Sequence, residues 1–150
     1  MRHFIGPLFV VALCSSAQAG GDDAKNLQGK WEVVELIAYG KAVDAKVFKG
    51  TQFVFIKDKL TITPPNDKIE EFVKRTFSFK LDPAKKPAEI DLTVLDGKED
   101  KGKVSRGIYE LKGDTLRWCQ PDGPNMKDRP TEFKSLEKSG LYLFTLKRLK

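Results

Sequence analysis

Three carboxylates are the residues of this chain best suited to acid–base chemistry. Glu35, Asp91 and Glu110 each lie in a segment that we predict to be a β-strand. Two carboxylates that converge on one bond are the arrangement of glycosidases, in which one donates a proton and the other acts as base or nucleophile. Sequence spacing does not set the distance between residues on different strands. We therefore keep this chemistry as an alternative and predict no catalytic residue.

Histidine and cysteine, the usual residues of nucleophilic and metal chemistry, are scarce. The single histidine is His3, which lies in a segment that we expect to be removed. A chain without imidazole has no histidine-activated nucleophile and no zinc site with His ligands. Cys119 would then be the sole cysteine, which excludes an internal disulfide, and we interpret it as a small buried apolar residue. The prediction is a protein that is not an enzyme and has no cofactor and no metal.

Residues 1–19 have the pattern of an export signal. A basic start precedes an apolar run at 4–13, and Ala17-Gln18-Ala19 fits signal-peptidase cleavage. The apolar run is shorter than the roughly 20 residues of a permanent anchor. We expect cleavage after Ala19 and an exported protein, periplasmic or secreted, without a transmembrane segment. In the alternative, a lipid on Cys14 anchors the protein.

The net charge of +6 is spread along the chain. Lysines alternate with carboxylates, as at 96–101, which is typical of a solvated surface. A nucleic-acid-binding protein gathers its basic residues on one face beside stacking aromatics. We therefore predict no nucleic-acid partner, and we expect a monomer.

Alternation of polar and apolar residues dominates 29–150, which we take as one domain preceded by an N-terminal extension at 20–28. The clearest hairpin joins 107–111 to 115–119 through a tight turn at Gly113-Asp114. The segment 42–50 fits either a short helical turn or an irregular loop. The other predicted strands are 30–38, 51–56, 60–63, 76–81, 90–94, 130–134 and 141–148.

The alternation slips within the first strand, directly after Val33. A slip of one residue predicts a β-bulge or a sharp bend. We expect this bend to keep four apolar side chains facing inward, namely Trp31, Val33, Val34 and Leu36.

The pattern as a whole predicts an all-β protein. About eight or nine short strands with turns between them favour a lipocalin-like up-and-down antiparallel barrel, which has no unpaired edges once it closes. A β-sandwich is the alternative. Trp31 lies on the predicted first strand and Arg148 on the last, so closure would let the guanidinium cover the indole. We predict that these two residues close the barrel.

Several motifs, taken in order, resemble an uncharacterised lipocalin-like domain family of planctomycete bacteria. They occur at 27–34, 81–92, 107–116, 129–133 and 146–148 and span nearly the whole mature chain. The resemblance implies a small exported bacterial β-barrel and brings no catalytic residue, because that family has no established activity. Gly29-Lys30-Trp31 also resembles the first signature of true lipocalins, in which the tryptophan closes the barrel floor and a late arginine packs across it. This implies structural roles for Trp31 and Arg148.

Arg129 and Glu132 form a second charged motif, at the start of the predicted strand 130–134. A cation and a carboxylate beside an apolar residue could bind a carboxylate or a peptide. We favour the structural interpretation, in which the two residues hold a loop to the sheet.

Two functional hypotheses remain. The first is a binding module, in which the barrel holds a small apolar or amphipathic ligand. The second is an envelope protein-interaction or inhibitor module with a solid core, which uses loops such as 120–129. A void of about 300 Å³ or more would favour the first. The predicted pocket-lining residues are Phe53, Phe55, Phe77, Phe79, Tyr109 and Trp118.

Replacing Trp31 tests whether this indole lies in the core. We expect Trp31→Ala to lower the free energy of unfolding by about 3–5 kcal/mol, because a buried tryptophan loses its transfer free energy and leaves a cavity. Urea unfolding followed by circular dichroism measures the change. A loss below about 1 kcal/mol is the result for an exposed indole and would contradict the predicted barrel floor.

Overall fold

The computed structural model describes residues 19–65, 74–123 and 128–150. The predicted export signal, with His3 and Cys14, lies outside the described residues except for Ala19. Two short helices accompany the strands, α1 (Ala19–Leu27) and α2 (Ala45–Phe48). The strands are β1 (Gly29–Ala38), β2 (Lys41–Ala42), β3 (Gln52–Ile56), β4 (Lys59–Thr63), β5 (Arg75–Asp82), β6 (Ala88–Val94), β7 (Val104–Lys112), β8 (Thr115–Pro121) and β9 (Leu141–Arg148).

The sheet closes on itself through its first and last long strands. From β3 to β9 each strand pairs antiparallel with the next, and β1 pairs with both β3 and β9. The pairing of β1 with β9 runs from Trp31 opposite Arg148 to Ala38 opposite Tyr142. The predicted all-β antiparallel barrel is therefore confirmed, as eight strands with β2 as a short addition beside β1.

The bulge in β1 occurs where the alternation slips. The register with β9 shifts between Val33 and Glu35. Trp31, Val33 and Leu36 are buried, as predicted, whereas Val34 is 44% exposed. The expectation that Val34 faces inward is wrong, because the extra residue of the bulge lies outside the regular ladder and its side chain leaves the inner face.

The predicted strand at 130–134 is also wrong. This segment is irregular and covers the outer face of the barrel, where Phe133 packs on a small cluster of Ile108, Cys119 and Leu143. Pro130 at its start has no N–H to donate to a ladder. The segment 42–50, left open above, contains α2, which Asp44 caps by accepting a hydrogen bond from the Lys46 N–H (2.9 Å).

Helix α1 covers the end of the barrel at which β1 begins and β9 ends, which we call the lower end. Leu27 of this helix is fully buried in the main core, and its carbonyl accepts a hydrogen bond from the Trp31 indole N–H (2.9 Å). The Tyr109 hydroxyl donates to the Asp23 carboxylate (2.7 Å). The predicted N-terminal extension therefore contributes to the barrel floor. In the described part of the chain, no helix combines the length and the apolar character needed to span a membrane.

Arg148 connects several segments at the lower end of the barrel. Its guanidinium carbon lies 4.3 Å from the centroid of the Trp31 ring. Its nitrogens donate to the carbonyls of Gln28 (2.8 Å) and Asn26, and to the carboxylate of Asp114 (3.0 Å). One side chain thus joins the last strand to the end of α1 and to the turn between β7 and β8, using the fork geometry that only arginine offers.

Removing the Arg148 side chain tests this connection. We expect Arg148→Ala to lower the free energy of unfolding by about 1.5–3 kcal/mol, because two carbonyls lose a charged donor. Arg148→Lys should recover only part of the loss, since an ammonium group lacks the fork. Chemical denaturation measures each value. The matched control is Lys147→Ala on the exposed neighbour, expected within about 0.5 kcal/mol of the parent. Equal losses for the two alanine variants would contradict the role of Arg148.

Candidate functional site

A cavity of about 950 Å³ occupies the upper half of the barrel, above the filled lower half. The inner faces of β1 and of β3 to β9 contribute to its wall, and the segment from β2 to α2 lies at its margin. Most of the lining is apolar. Its described lining includes Leu36, Phe53, Ile62, Phe77, Leu92, Val94, Ser105, Trp118, Gln120 and Phe144.

Three of the six predicted pocket residues line this cavity: Phe53, Phe77 and Trp118. Phe55, Phe79 and Tyr109 do not, because they belong to the filled lower half. Phe55 and Phe79 pack edge to face with their ring centroids 5.3 Å apart. Inward-facing residues two positions apart on a strand are separated by about 7 Å along it. Residues that share the inner face can therefore lie at different levels of the barrel.

An aromatic cluster forms one wall of the cavity. Phe53 meets Trp118 edge to face, with the ring centroids 5.6 Å apart. The Phe144 ring is tilted and its centroid lies 5.5 Å from that of Phe53 and 6.4 Å from that of Trp118. Trp118 is 1% exposed and Phe53 is 2% exposed. Phe144 was not predicted as a pocket residue, although it lies on a strand that was predicted, 141–148. This wall offers rigid apolar surface to a bound molecule.

A chain of polar side chains continues from this wall. The Trp118 indole N–H donates to Gln120 Oε1 (2.7 Å), and Gln120 Nε2 donates to Ser105 Oγ (2.6 Å). Gln120 and Ser105 are 7% and 5% exposed and both line the cavity. Sequence analysis assigned Gln120 to a loop, but β8 continues to Pro121. The available signal was the period of two in Leu116, Trp118 and Gln120.

Gly107 provides the space for the Gln120 amide. A Cβ atom at Gly107 would lie 2.0 Å from Gln120 Oε1 and 2.7 Å from the Cys119 carbonyl oxygen. Gly107 lies on β7, whose inward positions alternate with the outward ones, and the neighbouring strand β8 carries Gln120. Because Gly107 has no side chain, the Gln120 amide can pack against the wall instead of extending across the cavity.

The rim of the cavity carries charged and phenolic groups. The Tyr39 hydroxyl donates to the Asp122 carboxylate and lies 3.4 Å from the Tyr142 hydroxyl. Burial, followed by hydrogen bonding to Tyr39 and Asp122, raises the pKa of Tyr142 far above its usual value, so this phenol is neutral. On the opposite side, Arg75 forms an ion pair with Asp100 (3.7 Å). Charge of both signs thus lies at the rim.

The three candidate carboxylates do not assemble into a site. Asp91 and Glu110 alternate with inward-facing residues, and Glu35 is exposed. None of the three is among the described residues of the cavity wall. Glu110 forms a surface ion pair with Lys112 (3.5 Å). A paired-carboxylate centre built from these residues is therefore not present.

Arg129 holds the outer segment to the barrel. Its guanidinium donates to the Gly107 carbonyl (2.8 Å) and to the Asp91 carboxylate (2.7 Å), and it lies 3.5 Å from the carboxylate of Glu89. Glu132 instead pairs with Lys134 on the surface (3.2 Å). The structural interpretation of the Arg129 motif agrees with this geometry, but Arg129 and Glu132 do not act as a pair.

Cys119 is fully buried beneath that outer segment. Its thiol contacts the Lys134 carbonyl at 3.6 Å, and burial raises the pKa of the thiol, which keeps it neutral and unreactive. Across the ranges 19–65, 74–123 and 128–150, no group of three or more acidic, histidine or cysteine side chains is placed to hold a metal ion.

The space at Gly107 can be tested with a double-mutant cycle. We expect Gly107→Ala to lower the free energy of unfolding by about 1–3 kcal/mol, because the new methyl overlaps the Gln120 amide. The same change should cost less in a Gln120→Ala background, with a residual cost from the Cys119 carbonyl. Urea unfolding of the four proteins measures the coupling. Additive losses would contradict the close packing of residues 107 and 120.

Comparison with known proteins adds no relative to this description. No protein-family model, no curated protein and no solved structure matches the chain. The resemblance to the planctomycete lipocalin-like family therefore stays a prediction. What the cavity can bind has to follow from the chemistry of its own walls.

Proposed function

We propose that this chain is an exported lipocalin-like barrel that binds one small amphipathic molecule in its upper half. The cavity of about 950 Å³ is the observation that supports this most. Ligand sites in proteins measure about 300–1,000 Å³ and are mostly apolar with a few placed polar groups. The aromatic wall and the buried polar pair Ser105 and Gln120 match that description.

The sizes of the inward-facing side chains along the strands support a cavity that the fold itself creates. Strand β7 places the large residues Tyr109 and Leu111 in the lower half, whereas its inward positions in the upper half are Ser105 and Gly107. Protein interiors are otherwise close-packed with few voids larger than a water molecule. The same strands thus fill one half and leave the other half open.

The volume favours a binding module over an interaction or inhibitor module with a solid core. It exceeds the lower limit of about 300 Å³ by a wide margin. A binding role is also preferred to a catalytic one, since Asp91 is held by Arg129 on the outer surface and most of the cavity lining is apolar. We propose accordingly that the protein is a carrier or sensor and not an enzyme.

Titration with N-phenyl-1-naphthylamine tests the proposal. This uncharged aromatic amine fluoresces strongly only in apolar surroundings. We expect one molecule to bind per chain with a dissociation constant in the micromolar range, which corresponds to a binding free energy of about 8 kcal/mol. Quenching of tryptophan fluorescence should accompany binding, because Trp118 lies on the cavity wall.

The chain offers a matched pair of blocking variants. Val94→Trp adds an indole at the cavity wall, whereas Val34→Trp adds the same group on the exposed bulge. We expect Val94→Trp to weaken binding at least about tenfold and Val34→Trp to leave it unchanged. Equal affinities for the two variants, or no binding by the parent protein, would contradict the proposal. Native mass spectrometry of protein purified from its own cell would then identify the molecule by its retained mass.

A further inference from the structure

Two hydrogen-bond donors on the cavity wall have no acceptor in the described part of the protein. Ser105 Oγ accepts a hydrogen bond from Gln120 Nε2, which leaves the serine hydroxyl hydrogen unused. The Gln120 amide has two N–H groups, and only the one directed at Ser105 has a partner among the described residues. Both side chains are more than nine-tenths buried. Buried donors that are left unpaired are costly, so a complementary group is expected opposite them.

The direction of these donors follows from the neighbouring indole. A tryptophan N–H can only donate, so the atom of Gln120 beside Trp118 must be the carbonyl oxygen, Oε1. The amide nitrogen then faces Ser105, and Oγ of Ser105 must be the acceptor. The serine hydroxyl hydrogen is thus directed away from Gln120. Because Ser105 and Gln120 both line the cavity, the hydrogens that remain on this pair are donors at its wall.

The charge of the missing group follows from where the charged residues lie. The charged side chains of the described lining belong to the rim, namely Lys41, Arg75, Asp100 and Asp122. Leu92, which pairs with Ser105 across β6 and β7, and Tyr142, which pairs with Gln120 across β8 and β9, are both uncharged. A carboxylate or ammonium group placed there would lose its hydration without gaining a counter-charge. A neutral acceptor avoids that cost.

We propose that the cavity recognises an apolar molecule through one uncharged carbonyl oxygen, which accepts hydrogen bonds from Ser105 Oγ and Gln120 Nε2. This inference rests on the proposed function and specifies its ligand class. A carbonyl oxygen has two lone pairs and can accept from both donors at once. The aromatic cluster of Phe53, Trp118 and Phe144 packs against the apolar body of the same molecule.

The test compares two probes that differ in one group. 2-Acetylnaphthalene and 2-ethylnaphthalene have the same ring system and nearly the same shape, but only the first has a carbonyl oxygen. Their dissociation constants are measured by calorimetry with the parent protein and with Ser105→Ala. We expect the preference for the ketone over the hydrocarbon to fall about three- to tenfold in Ser105→Ala. Binding of the hydrocarbon should stay the same.

The control is Ser78→Ala, the same substitution on a residue of β5 that lies between the core-packed Phe77 and Phe79 and so faces outward. It should leave the preference unchanged. Should Ser105→Ala fail to fold, Ser105→Cys retains the shape of the side chain but has a weaker donor, and it should reduce the preference in the same direction.

The failure of this inference differs from the failure of the proposed function. If both probes bind and the ketone preference is the same in Ser105→Ala, the carbonyl contact is wrong while the binding cavity stands. If 2-naphthoate binds more tightly than the ketone and depends on Ser105, the acceptor is charged and the inference is again wrong. If neither naphthalene binds to the parent protein, the proposed function falls together with the inference.

Discussion

The pairing of β1 with β9 is the constraint on which the rest of this structure depends. It converts an open sheet with two unpaired edges into a closed wall, so that every strand buries one face against all the others. The register places Arg148 opposite Trp31, which brings the guanidinium over the indole and within reach of the backbone at the end of α1. The bulge at Val34 supplies the bend that closure of so small a barrel requires.

Closure also divides the interior into a half that stabilises the fold and a half that can accept a ligand. The lower half contains the covering helix, the buried Trp31 and the Tyr109 to Asp23 hydrogen bond, all of which lie outside the cavity. The upper half depends on small residues, above all Gly107, whose missing side chain admits the amide of Gln120. The two halves are joined in one core, in which Phe55 of the lower half lies 6.2 Å from Trp118 of the cavity wall between ring centroids.

Local patterns predicted the strands well where alternation and turn chemistry agreed. The last strand, 141–148, has the predicted bounds, and the hairpin at Gly113-Asp114 forms where a tight turn was expected. The prediction was wrong at 130–134, where apolar Phe133 packs on the outside of the barrel rather than within the sheet. The prediction that Val34 faces inward was also wrong. The slip in alternation locates the bulge, but it does not tell which side chain leaves the inner face.

Most inward-facing positions and the pairing of the first strand with the last could be predicted from the sequence, since they follow from a period of two and from complementary residue types on those two strands. The level at which each inward residue lies is visible only in the folded barrel, where Phe53 lines the cavity while Phe55 lies in the filled half. The same holds for the contact of Ser105 with Gln120. These positions depend on the register between strands and on the stagger around the barrel, which are set by hydrogen bonds between distant segments and leave no trace in local alternation.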